Sequence, residues 1–158
     1  MSIYAPPKAT QELGECQSSP PADISISYNE SDIHKWNISL TGPQGSAYQG
    51  GIFNLTLTLP TDYPFKAPVV NFTTRIYHPN VTNDNMGNIC LSILKAENWK
   101  PASRIKGVLE AVRNLLIEPQ PDDPLEMRIA EEFKNDRASF EKNAKQYVDR
   151  YAKGDTKK

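Results

Sequence analysis

Residues 53–59, Phe-Asn-Leu-Thr-Leu-Thr-Leu, decide how this chain folds. Four large apolar side chains alternate with an amide and two hydroxyls, the period of two that lays one face of a strand on a core. Upstream, Ile24, Ile26 and Tyr28 alternate with polar residues, and Trp36, Ile38 and Leu40 do the same. Thr41-Gly42-Pro43-Gln44-Gly45 supplies a turn between the second and third segments. Three such runs joined by turns predict an antiparallel meander. Downstream, Pro60, Pro64 and Pro68 remove ladder donors and end the strand, and Val69 to Phe72 reads as a short fourth one.

Helical patterns flank this sheet. Lys8 to about Gln17 reads as a short helix, with Leu13 and Cys16 on one side, stopped by Ser18-Ser19-Pro20-Pro21. Ile105, Val108, Leu109, Val112, Leu115 and Leu116 form an apolar stripe, with Ser103 as the expected N-cap. Asp123-Pro124-Leu125-Glu126 reads as the start of a second helix, Asp123 capping and Leu125, Ile129 and Phe133 facing inward. Asp136 is expected to cap a last helix carrying Phe140, Ala144, Tyr147, Val148 and Tyr151, which Gly154 ends. The expectation is one α+β domain over residues 1–158: an N-terminal helix, a four-stranded meander, a loop, then three helices. Residues 1–7 are expected to be an irregular lead-in and 155–158 a tail.

A chain of 158 residues can bury a proper core, and its 38% hydrophobic and 23% charged content is that of a globular protein. Eighteen basic residues against 19 acidic ones, without a basic block, argue against a nucleic-acid surface. Two cysteines and two histidines provide neither a disulfide framework nor an evident zinc site. No signal peptide or membrane-length apolar run is visible, so the chain reads as cytosolic or nuclear, where thiols stay reduced.

The chemistry concentrates in residues 77–99, YHPNVTNDNMGNICLSILKAENW. Cys90 lies ten residues after Asn80, which a proline stiffens in His78-Pro79-Asn80. The polar run Asn83–Asn88 between them is too poor in apolar residues to pack as a regular element. A thiol at the end of a structured loop, facing a fixed amide, suggests covalent thiol chemistry with an amide donor for the reacting carbonyl. His78 also invites a Cys–His hydrolase reading, although no separate orienting acid is evident.

Tyr77-His78-Pro79-Asn80, Gly87-Asn88-Ile89-Cys90-Leu91 and Trp99-Lys100-Pro101-Ala102 resemble the signature of ubiquitin-conjugating enzymes. So do Gly42-Pro43, Tyr48-Gln49-Gly50-Gly51, Pro60-Thr61-Asp62-Tyr63-Pro64-Phe65 and Pro121-Asp122-Asp123-Pro124-Leu125. The resemblance runs from about Lys8 to Tyr151, with the blocks in the family's order. It implies the fold reached above and no cofactor, ATP being used by the upstream activating enzyme. It implies a monomer that takes ubiquitin as a thioester on Cys90 and passes it to a substrate lysine or a ligase cysteine.

The same resemblance assigns the remaining residues. Asn80 steadies the loop and donates to the oxyanion, a contact worth about 3 kcal/mol in a transition state. Asp123 orients and helps deprotonate an incoming lysine. Tyr77, His78, Pro79 and Ser92 shape the loop, His78 structurally. Phe65 and Pro64, with Lys100, Pro101, Ala102 and Lys8, form a surface for RING or HECT-type ligases and for the activating enzyme. Glu110, Asn114 and, on the outer sheet face, Ser25 fall at ubiquitin-contact positions. Ser92 stands where many lysine-reactive relatives carry an acid, Glu110 where they present an apolar residue, and Pro7 and Gln11 where they are often basic. The alternatives are a carrier of another ubiquitin-like modifier and a non-catalytic ubiquitin-binding module, which Cys90 opposes.

Overall fold

The computed structural model describes residues 7–153. A helix, α1 (Pro7–Ser18), leads into β1 (Ile24–Asn29), β2 (Asp32–Thr41), β3 (Ile52–Thr58) and β4 (Val69–Phe72). These strands form one antiparallel sheet in the order β1-β2-β3-β4, the meander expected from the alternation. A long loop follows, with a single 3₁₀ turn at Ser92–Leu94, and then α2 (Ile105–Ile117), α3 (Met127–Asn135) and α4 (Arg137–Tyr151).

The register explains why the alternation is so strict. Ile26 pairs with Ile38, Ile38 with Leu55, and Leu55 with Phe72, so one apolar row crosses all four strands. A slip of one residue would turn that row to solvent. The six stripe residues of α2, Ile105 to Leu116, are buried in the same cluster as Trp36, Leu40, Phe53 and Leu57 of the sheet. Phe140, Ala144 and Val148 of α4 complete it.

Two helix starts differ from expectation. Ser103 does not cap α2; Arg104 occupies the cap position without a side-chain bond. The orphan N–H of Ile105 instead donates to Glu12 Oε1, 2.7 Å away on α1. Glu12 is fully buried, and its other oxygen accepts from the Tyr63 hydroxyl at 2.8 Å and faces Lys8 Nζ at 3.6 Å. One carboxylate from α1 thereby fixes both the proline-rich loop and the start of α2, which a local serine cannot do.

Asp123 likewise does not cap α3, which begins four residues later at Met127. The N–H groups of Leu125 and Glu126 donate to Pro79 O at 2.8 and 3.0 Å. Amides that would open a helix at Pro124 are therefore engaged by the loop before Cys90. Leu125 is consequently exposed rather than inward-facing, while Ile129 is buried and Phe133 half-buried. Asp136 does cap α4, accepting from Ser139 N at 3.2 Å. Pro7 already belongs to α1; the rest of the lead-in, the Gly154 stop and the tail lie outside the described residues.

The loop carrying His78 is tied to the far end of α2. His78 is fully buried and stacks on Tyr48, with ring centroids 5.5 Å apart. Its Nδ1 accepts from Asn80 N–H at 2.9 Å, so Nε2 carries the proton and donates to Leu115 O, also at 2.9 Å. Burial holds the ring neutral, lowering its pKa to about 4.

Two stability predictions follow from these contacts. Glu12→Ala strands the Tyr63 hydroxyl and the Ile105 N–H, and is expected to lower stability in urea unfolding by about 3 kcal/mol. Glu12→Gln keeps an acceptor and should lose clearly less; equal losses would remove the hub role. For His78, the unfolded ring binds a proton below about 6.5 while the folded ring does not. Its contribution is complete above that pH and is lost as pH falls toward 4, about 3 kcal/mol in all. Unfolding free energy measured between pH 7 and 4 should show this slope, and His78→Gln should lack it.

Candidate active site

The run Asn83–Asn88, too polar to pack, is organised by one carboxylate. Asp84 Oδ1 accepts from Thr82 Oγ1 at 2.9 Å, Met86 N at 2.8 Å and Gly87 N at 3.2 Å, and these donors hold its pKa below the usual carboxylate value. Gly87 sits at φ +58°, where a Cβ would lie 1.9 Å from Phe72 O, so only glycine fits. Its own carbonyl accepts from Phe72 N at 2.8 Å, joining the loop to β4. A Val81–Ile89 bridge then delivers Cys90, whose N–H donates to Asn80 O at 2.8 Å.

Asn80 is buried and every polar atom of its amide is engaged. Nδ2 donates to Gln120 O and Asp123 O, both at 2.9 Å, and Oδ1 accepts from Gln120 N at 2.9 Å. The side chain therefore braces the segment between α2 and α3 that carries Asp123. Tyr77 adds a second tie, its hydroxyl donating to Glu132 Oε1 of α3 at 2.6 Å while its carbonyl accepts from the Tyr48 hydroxyl. His78 is buried and neutral with both ring nitrogens bonded to backbone, while Cys90 Sγ bonds Asp123, an arrangement that does not support the Cys–His hydrolase reading.

Cys90 is half-buried at the rim of an open cleft of about 460 Å³, which Asn80, Leu91, Ala111, Asn114, Gln120 and Asp123 also line. Its Sγ donates to Asp123 Oδ2 at 3.3 Å, and Lys95 Nζ lies 2.6 Å from the same oxygen. Desolvation and the carboxylate together raise the Cys90 pKa, while Lys95 opposes them. The ammonium and the thiol in turn lower the pKa of Asp123, Lys95 first. Cys16, the other thiol, is buried in the core and pushed up to about 11, chiefly by desolvation.

The other expected residues fall in three places. Ser92 is exposed beside Cys90, accepting from Asn98 Nδ2 through both its carbonyl and its hydroxyl. Asn114 lines the cleft; Glu110 is exposed on α2, and Ser25 is exposed on β1 at a separate shallow hollow. Phe65 is 73% exposed, and Trp99 Nε1 donates to Pro64 O at 2.8 Å, joining its loop to exposed Lys100, Pro101 and Ala102. Lys8 turns toward Glu12, which partly neutralises one of the two basic residues expected there.

Sequence reasoning missed Lys95, Gln120 and Glu12. Lys95 lies across a 3₁₀ turn from Cys90, and Glu12 acts over 93 residues of separation, so no periodicity exposes either. Among the described residues, no group of three His, Cys, Asp or Glu side chains could hold a metal, and no helix is long and apolar enough to cross a membrane.

A model of the family described as ubiquitin-conjugating enzyme matches residues 8–148. Ubiquitin-conjugating enzyme E2 14 of Schizosaccharomyces pombe is 44% identical over 146 residues, covering 92% of this chain and 93% of that protein. At the cleft rim the structure places a half-exposed thiol beside a carboxylate, on a loop braced by a buried asparagine. With that site on this sheet-and-helix frame, the chain belongs to the ubiquitin-conjugating enzyme family, whose members are acyl transferases working through a cysteine thioester.

Proposed function

We propose that this chain accepts ubiquitin from an activating enzyme as a thioester on Cys90 and passes it to a lysine or to a ligase cysteine. The observation that carries this reading is the 3.3 Å contact between Cys90 Sγ and Asp123 Oδ2 at the cleft rim. A sulfur that both attacks and leaves is suited by a thiol that is not strongly acidified, and burial together with Asp123 keeps it so. Once the thioester forms, the sulfur no longer donates to this carboxylate, which can exchange the Lys95 ammonium for an incoming one, orient it on the carbonyl and accept its proton.

Asn80 acts first by position. Its amide holds the carbonyl of the residue whose carboxylate meets the sulfur, so donation to the oxyanion requires one N–H to leave Gln120 O or Asp123 O. Asp123 supplies the acid in contact with the thiol, Ser92 contributing a hydroxyl, and transfer to lysine is the favoured discharge. The exposed Phe65, Pro101 and Ala102 surface suits an apolar ligase or activating-enzyme contact more than an electrostatic one. The protein acts as a monomer in the cytosol or nucleus without a cofactor of its own.

Incubation with activating enzyme, ATP and ubiquitin should give a reductant-sensitive adduct that Cys90→Ala abolishes and Cys90→Ser converts to a reductant-resistant ester. Charging only with another ubiquitin-like modifier and its activating enzyme would replace ubiquitin as the cargo. Asp123→Ala should slow single-turnover discharge to free lysine about tenfold or more, and discharge to free cysteine much less. Equal slowing would exclude the orienting role. Alkylation of the uncharged protein should follow Cys90 alone, with Cys16 protected. Its pH midpoint should move down in Asp123→Asn, because removing the carboxylate removes what favours the thiol.

A further inference from the structure

Glu126 stands at the N-cap position of α3, yet its side chain makes no cap bond. An acceptor there can serve the free N–H groups of its own helix. This carboxylate turns the other way: Oε2 accepts from Asn83 N–H at 2.8 Å, 43 residues earlier in the loop before Cys90. The backbone of Glu126 is bonded on both sides as well, its N–H to Pro79 O and its carbonyl to Ala130 N, each at 3.0 Å. Glu126 is thereby joined twice to the loop and once to α3, and Asp123 lies just upstream of it.

Asn83 is a firm anchor for that carboxylate. Its Nδ2 donates to the Tyr147 hydroxyl of α4 at 3.0 Å, and its Oδ1 and O accept from Arg75 Nη2 at 3.0 and 3.4 Å. Every polar group of Asn83 is therefore engaged. The Tyr147 ring lies 5.2 Å from that of Tyr77, whose hydroxyl reaches Glu132 on α3. At the front of the same segment, Asn80 holds Gln120 and the Asp123 carbonyl. Pro124 and Leu125 offer no polar side-chain atom, so behind Asp123 the side-chain tie to the loop comes from Glu126.

We infer that Glu126 is a positioning residue of this site: bonded to the Asn83 N–H, its carboxylate sets where the Asp123 carboxylate stands relative to Cys90 Sγ. The inference rests on the thioester reading for its consequence in transfer, and on geometry alone for the placement. Asp123 is exposed, and its tip meets a surface lysine and the thiol. Its position thus depends on the backbone beneath it, which the loop grips before and after. A group that orients an amine and takes its proton loses much of its effect when displaced by about 1 Å. A thiolate acceptor brings no proton to remove, so transfer to cysteine tolerates the same displacement.

The test has one arm without ubiquitin and one with it. In the uncharged full chain, the pH midpoint of Cys90 alkylation reports how close Asp123 stands, because that carboxylate raises the thiol's pKa while Lys95 opposes it. Glu126→Ala should move the midpoint down, toward that of Asp123→Asn. Glu126→Gln keeps an oxygen for Asn83 N–H and should restore the wild-type midpoint. Tyr147→Phe removes a hydroxyl from the same network but spares the clasp; it should leave the midpoint in place, whatever urea unfolding shows it to lose in stability. In the charged protein, Glu126→Ala should slow single-turnover discharge to free lysine about five- to tenfold and discharge to free cysteine by less than about twofold. An unmoved midpoint in Glu126→Ala, or an equal shift in Glu126→Gln or Tyr147→Phe, would overturn the inference. Equal slowing toward lysine and cysteine would overturn it too. A chain that forms no thioester but shows the expected midpoints would sink the transfer reading and still support the placement of Asp123.

Discussion

Two short stretches of backbone, one before Cys90 and one between α2 and α3, are held together by a buried asparagine amide and the carbonyl preceding it. Asn80 satisfies Gln120 in both directions and the carbonyl of Asp123, while Pro79 O accepts from Leu125 and Glu126. The Asn80 contacts are part-buried, and a bond left unmade where water is excluded costs about 1–3 kcal/mol. Satisfying them places Asp123 within reach of a sulfur 33 residues away. Proline between His78 and Asn80 restricts the tripeptide, so its two polar side chains face opposite anchors, Leu115 and the Gln120–Asp123 segment. The register of the loop follows from that division.

The electrostatics of the cleft follow from the same placement. A carboxylate between a thiol and an ammonium favours the neutral sulfur and the charged nitrogen together. Asp123 is more than half exposed, so water screens the pair and its value to stability is small. Its weight lies in orientation: the Lys95 ammonium and the Cys90 thiol lower the carboxylate's pKa and so favour the ionised form that can hold an amine.

How much of this was legible in the sequence depends on the range of each interaction. Period-two alternation in 53–59 and the 105–116 stripe reveal the sheet and α2, because both report a single buried face. Asp136 could be read as a cap because its partner is three residues away. Ser103 and Asp123 matched the same local rule and failed it, since Glu12 and Pro79, distant in sequence, had taken the amides that a cap would serve. Cys90 and Asp123 as a pair were reached through family resemblance, which the geometry then brought to 3.3 Å. Lys95 had no such guide: a lysine five positions after a cysteine is unremarkable until the turn between them is known.

Keeping Cys90 largely in its protonated form has an outcome for the idle molecule. Peroxide and electrophiles consume the thiolate, and a group whose pKa is raised by its surroundings presents little of it near neutrality. A thiol so placed is expected to oxidise slowly, although it stands half-buried at the cleft rim. On the thioester reading, acylation of that sulfur removes the acidic hydrogen altogether, and the burden of reactivity passes from the sulfur to the carbonyl beside it. On the reading proposed above, the oxygen that contacts the sulfur at rest takes the incoming amine once the protein is loaded, changing partner rather than position.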